Sequence, residues 1–181
     1  MASRNYTKSR FRLTDPLISF LGIGAVLSIA SLVAYHLLLD KEWINTRLSE
    51  ATVTGTEAFI RLLGYSMFRE GTVLGLEGTI GLKVGPPCNG LGLFVLFSIF
   101  VMAFPGPAKH KLWFIPSGLL LLYVLNVMRV FALCLLLLHH PDWLAFNHSY
   151  TFTVTMYFIV LLLWMTWINR WSRSLKHAPS S

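Results

Sequence analysis

Four stretches of the chain are apolar over long distances: Pro16 to Leu39, Gly90 to Phe104, Leu112 to Leu138 and His148 to Asn169. A helix needs ~20 apolar residues to cross ~30 Å of hydrocarbon, so each stretch predicts a spanning helix, the second at the short end. Its shortness predicts that the residues around Cys88 lie close to the membrane or dip into it. Between the first two stretches, Asp40 to Pro87 is mixed in polarity. Ala58, Phe59, Leu62, Leu63 and Met67 recur there at helical spacing, which predicts an amphipathic helix on the membrane surface or on the bundle. After Gly71 the pattern changes. Thr72 to Leu76 and Thr79 to Val84 are β-permissive and separated by Glu77-Gly78, predicting a small β-hairpin that runs into Pro86-Pro87-Cys88. The expected fold is all-α integral membrane: a four-transmembrane-helix bundle with an extracytoplasmic amphipathic helix and a small β-hairpin before Cys88.

Composition narrows the class. With 181 residues, 55% hydrophobic and only 13% charged, and a mean hydropathy of +0.61, the chain is not a soluble globule but one membrane-embedded domain, residues 1–181. The net charge of +7 does not imply nucleic acid, because the basic residues sit at the ends of apolar segments and form no groove. Their distribution reports topology. Arg4, Lys8, Arg10, Arg12, Lys109, Lys111, Arg170, Arg173 and Lys176 share one side with the single acid Asp15. Lys41, Arg47, Arg61, Arg69 and Lys83 share the other with Asp40, Glu42, Glu50, Glu57, Glu70, Glu77 and Asp142. The positive-inside rule makes the first side cytoplasmic, with tails 1–15 and 170–181 inside and the Cys88 and His148 ends facing out. The basic N-terminus before Pro16 resembles a signal peptide but lacks a small-residue cleavage site, so a retained signal anchor is expected. Two cysteines imply no disulfide framework.

Three side chains are candidates for chemistry. Arg129 interrupts an apolar run, at a cost of ~2.5 kcal/mol on insertion scales, and no acid lies within the spans to pair with it. Asn126, one turn away, makes that face polar and turns it to the bundle interior. At ~1.5 Å per residue from His139, the Cα of Arg129 is expected about 15 Å deep, with the side chain reaching outward. Such a guanidinium can stabilise an oxyanion and lower a thiol pKa. Cys88 follows two prolines and precedes Asn89-Gly90, so it belongs on a stiff turn into a helix, where the macrodipole favours thiolate. His148 opens the fourth stretch, with Thr151 and Thr155 on its stripe, and can serve as acid and base. Each has a plainer reading: packed cysteine, structural or snorkelling arginine, boundary histidine. Cys134 in its apolar run, and His139 and His140 beside Trp143, fit those plainer readings. No His-Glu-x-x-His helix, phosphate loop or dinucleotide fingerprint is present, so neither metal nor cofactor is expected.

The ordered set Cys88-Asn89-Gly90, Asn126-x-x-Arg129 and His148 resembles the signature of the exosortase and archaeosortase family, over roughly Pro16 to Asn169. These membrane enzymes are similar to sortases in using Cys, Arg and His, on an unrelated helical fold. The resemblance implies Cys88 as nucleophile, Arg129 as oxyanion stabiliser and His148 as acid/base, with Asn89 and Asn126 supporting. It implies a secreted protein substrate with a C-terminal sorting signal, made of a short motif, a transmembrane helix and a basic tail, passed through a Cys88 thioester to an amine or water. Many members carry Ser where Asn89 stands. Longer members have about twice as many spans, so this chain resembles a compact, core-only form of bacteria with two membranes. That places it in the inner membrane, its site facing the periplasm, with a dedicated membrane partner as a further expectation. A non-enzymatic membrane scaffold and a small anion transporter built around Arg129 remain as alternatives at this level.

Overall fold

The computed structural model describes residues 42–86, 88–104 and 106–172, with isolated positions between Gly22 and Leu37. The expected span Pro16 to Leu39 lies largely outside the described residues; the described positions within it are helical. The ordered elements are α1 (Glu42–Leu62), β1 (Met67–Glu70), β2 (Val73–Leu76), β3 (Leu82–Lys83), α2 (Leu91–Ala103), α3 (Ala108–His139) and α4 (Phe152–Trp167). Short 3₁₀, α and π turns between Pro141 and Thr151 join α4 to α3. Two helical runs, Ala108–His139 and Pro141–Trp171, are long and apolar enough to cross a membrane, while α2 has 13 residues. These three runs contain or match the last three predicted stretches. Large apolar side chains such as Leu112, Leu120, Val124, Val154 and Phe158 remain exposed on them, as lipid-facing surfaces require.

The amphipathic reading of α1 needs correction in extent, and a second face carries most of its contact with the bundle. The helix ends at Leu62 because Gly64, at φ 79°, adopts the left-handed conformation. The Gly64 N–H donates to Arg61 O and the Tyr65 N–H to Ile60 O, the two bonds of a Schellman cap. Met67 therefore belongs to a strand. The buried face consists of Asn45, Ser49, Thr52, Val53, Thr56 and Ile60, whereas Ala58, Leu62 and Leu63 are exposed. Thr52 and Thr56 satisfy their hydroxyls on Leu48 O and Thr52 O, at 2.9 and 2.8 Å, so both can be buried without another partner. Small residues then let α1 lie close along α3. A Cβ on Gly55 would stand 2.5 Å from the Tyr123 hydroxyl, which itself donates to Ala51 O at 2.8 Å.

The expected hairpin is part of a three-stranded antiparallel sheet in the order β1-β2-β3. Its predicted half is present, with Val73 opposite Lys83 and Leu74 opposite Leu82. The added strand pairs Met67 with Leu76 and Glu70 with Val73 around a two-residue turn. Gly71 takes the first turn position at φ 59° while Thr72 keeps a negative φ, the sign pattern of a type II′ turn. Glu57 of α1 anchors the sheet through Arg69 on β1, at 3.0 Å, and also pairs with Arg61 of its own helix, at 2.9 Å; the Arg69 bond, then Arg61, hold its carboxyl below the ordinary value.

Two apolar clusters result. One joins Val53, Ile60, Leu74, Leu76 and Val84 to Cys88, Val130 and Cys134. The other fills the space among α2, α3 and α4 with Phe97, Val101, Leu122, Met156, Val160 and Trp167. Phe100 stacks on Trp164 at 4.0 Å, and Gly118 leaves room for the fully buried Phe97 ring. Because α2 runs back along the first half of α3, its N-terminus meets the middle of α3.

Candidate active site

The chain enters α2 through a turn closed by the Cys88 N–H donating to Gly85 O at 2.8 Å. Gly90 caps the helix at φ 80°, a conformation that a side chain would strain. Asn89 faces away from the thiol. Its Oδ1 accepts the Leu91 N–H at 3.0 Å, satisfying a first-turn donor of α2, and its Nδ2 donates to Asn45 Oδ1 at 3.0 Å. Asn126 Nδ2 donates to the Cys88 carbonyl at 2.9 Å. The loop is thus tied to α1 on one side and α3 on the other, with Cys88, Asn89 and Asn126 all buried.

His148 reaches this loop from the last helical run. It does not open that run, as the sequence suggested, but lies inside it on a π-helical turn, Asn147–Thr151. The Phe152 N–H donates to Asn147 O, five residues back, and the Thr153 hydroxyl donates to His148 O at 3.2 Å. One extra residue per turn rotates a side chain relative to a regular helix, which is why such bulges redirect functional groups. Here the result is a Cys88 Sγ to His148 Nε2 contact of 2.7 Å.

Arg129 is 7% exposed, forms no ion pair among the described residues, and keeps a buried Nε with no hydrogen-bond partner. It lies one turn beyond Asn126, and its charge acts on the thiol. Burial pushes the Cys88 thiol above its ordinary pKa, and the Arg129 guanidinium opposes this without reversing it. Arg129 thus lowers the thiol pKa, as expected of it, but desolvation of the charged form outweighs the nearby cation and the net direction is upward. The Cys88 sulfur is in direct contact with the His148 imidazole. Proton transfer between them would place a thiolate in the field of a buried guanidinium, where Coulombic attraction is stronger than in water.

All three predicted chemical groups share one locality, and Asn126 holds the loop that carries the first of them. Cys134 is fully buried in the apolar cluster, the packed residue its surroundings suggested. Asn45 escaped the sequence reading because its partner Asn89 is 44 residues away and no local spacing links them. Gly90 was legible only as a flanking glycine; its positive φ is the specific signal.

The family model described as transmembrane exosortase (Exosortase_EpsH) matches residues 18–167. No curated protein and no solved structure matches the chain. With the greater part of its length covered by that match, the chain is a membrane protein that belongs to the transmembrane exosortase family.

Proposed function

We propose that this protein is a membrane cysteine peptidase or transpeptidase, working through Cys88, His148 and Arg129. The observation that carries the reading is the 2.7 Å contact between Cys88 Sγ and His148 Nε2 beside the buried Arg129, which forms no ion pair among the described residues. His148 Nε2 takes the thiol proton as Sγ attacks the carbonyl carbon of a peptide bond. The tetrahedral oxyanion forms in the field of Arg129. His148 then gives its proton to the departing amine nitrogen, the C–N bond breaks, and a thioester remains on Cys88. An incoming amine or water transfers a proton to His148 as it attacks the thioester, the C–S bond breaks, and the proton returns to sulfur. Asn126 and Asn89 position the loop.

The substrate class in this reading is a secreted protein whose C-terminus carries a short motif, a transmembrane helix and a basic tail, with a membrane partner assisting. The protein is one four-span domain of the inner membrane, both termini cytoplasmic and the site towards the periplasm. Helix lengths refine the depth of that site. At ~1.5 Å per residue α3 is about 48 Å long, more than the ~30 Å of hydrocarbon. Asn126, bonded to the Cys88 loop, stands about 27 Å from the Ala108 end and about 20 Å from the His139 end. A bilayer spanning α2 and the first half of α3 puts the reactive loop at its outer boundary. On this placement Arg129 lies near that boundary, shallower than the about 15 Å reckoned from His139.

The test is processing of tailed precursors co-expressed with the protein. Cys88→Ala and His148→Ala leave the protein inserted and the precursor uncleaved, and wild-type protein yields a hydroxylamine-sensitive adduct that Cys88→Ala lacks. Normal cleavage by Cys88→Ala removes the thioester mechanism and favours the scaffold reading.

A further inference from the structure

The end of the bundle opposite Cys88 carries a second concentration of chemistry. A cavity of about 400 Å³ is lined by Lys109, His110, Trp113, Phe114, Ser117 and Trp171. The ring of His110 lies 5.5 Å from that of Trp171, and the Arg170 guanidinium sits 5.8 Å over the same indole. Lys111, by contrast, is committed to the Met102 carbonyl at 2.6 Å. Lys109 and Arg170 form no ion pair among the described residues, and no acid occurs between Leu91 and His139 or between Leu144 and Trp171. Among the described residues at this end the cations have no carboxylate to pair with, and like charges repel one another unless an anion joins them. Behind the cavity, Trp167 packs its ring on Phe114 and Trp171, and its indole N–H is buried without a partner.

We infer that this cavity binds the phosphate of an anionic lipid headgroup. Lys109 on the cavity wall and Arg170 beside it, over the Trp171 ring, supply the charge, and the aromatic walls supply the amphipathic surface on which the glycerol and the first acyl carbons rest. Trp113 and Leu112 are exposed beside the cavity, at the end of two membrane-length runs, where lipid headgroups lie. This site is independent of the chemistry at Cys88.

The experiment uses the purified full-length protein in neutral detergent. Thermal unfolding and native mass spectrometry are titrated separately with dioleoylphosphatidylglycerol, dioleoylphosphatidylcholine and inorganic phosphate. The anionic lipid is expected to bind and raise the melting temperature, the zwitterionic lipid to do neither, and phosphate alone to compete weakly. Lys109→Gln and Arg170→Gln each weaken phosphatidylglycerol binding about fivefold, while Lys109→Arg retains it. Equal responses to the two lipids, or variants that bind like wild type, overturn the proposal. A phosphate response as large as that to phosphatidylglycerol overturns the lipid assignment in favour of a free anion. Should the glutamine variants fail to fold, quenching of wild-type tryptophan fluorescence by brominated lipids decides: brominated phosphatidylglycerol quenches at lower mole fraction than its phosphatidylcholine counterpart, and equal quenching overturns the inference.

Discussion

Cys88 is held under opposing influences, and its reactivity should report both. Burial raises the thiol pKa and the Arg129 charge lowers it, so alkylation by iodoacetamide should have its inflection on the alkaline side of an ordinary thiol. Removing the cation in Arg129→Gln leaves burial unopposed and moves that inflection further up, an outcome readable from rate against pH in a Cys134→Ala background. An inflection unmoved by the substitution would mean that the guanidinium does not act on the sulfur. The types of these groups were legible because each is anomalous where it stands: an arginine and an asparagine in an apolar run, a cysteine after two prolines. Asn45 was not legible, since an asparagine near the start of a polar helix is unremarkable until a loop 44 residues on requires a partner for Asn89.

At the scale of elements, close approach depends on residues that lack side chains. The ring of Phe97 occupies the space a Cβ on Gly118 would need, so Gly118→Ala overpacks the junction of α2 and α3 and should cost ~1–3 kcal/mol, measured as lower thermal stability in detergent. Thr56→Val on α1 tests a different idea. The hydroxyl bonds only within its own helix, so its loss should change stability by less than about 1 kcal/mol, and a larger loss would reveal a partner on α3. Hydrophobicity alone does not mark the face of α1 that meets the bundle. In a helix that packs through small residues with internally satisfied hydroxyls, threonine and serine mark the contact and leucine does not. Gly71, by contrast, was readable as a breaker, while the helical spacing ran across Gly64 to Met67; each of these glycines redirects the chain by a positive φ.

Across the whole molecule, the asymmetry of charge predicts which end is reached from outside. In a Cys88→Ala, Cys134→Ala background, cysteines placed at Lys83 and Asp142 should react with a membrane-impermeant maleimide added to spheroplasts, whereas one at Lys109 should react only after permeabilisation. Labelling of Lys109→Cys from outside would invert the topology. Sequence alone determined the membrane class, the positions of the last three helical runs and which side chains were candidates for chemistry, because apolar length, charge at segment ends and lone polar residues in apolar runs are properties of local composition. Only the tertiary structure decided that Cys88 meets His148, that Asn45 and Asn126 clamp the loop between them, and that the thiol is buried enough for desolvation to oppose the pull of Arg129. Those outcomes depend on a π turn that rotates one side chain, on helices crossing at glycines, and on water being excluded from the sulfur. Each is a relation between segments distant in the chain, and no local pattern encodes it.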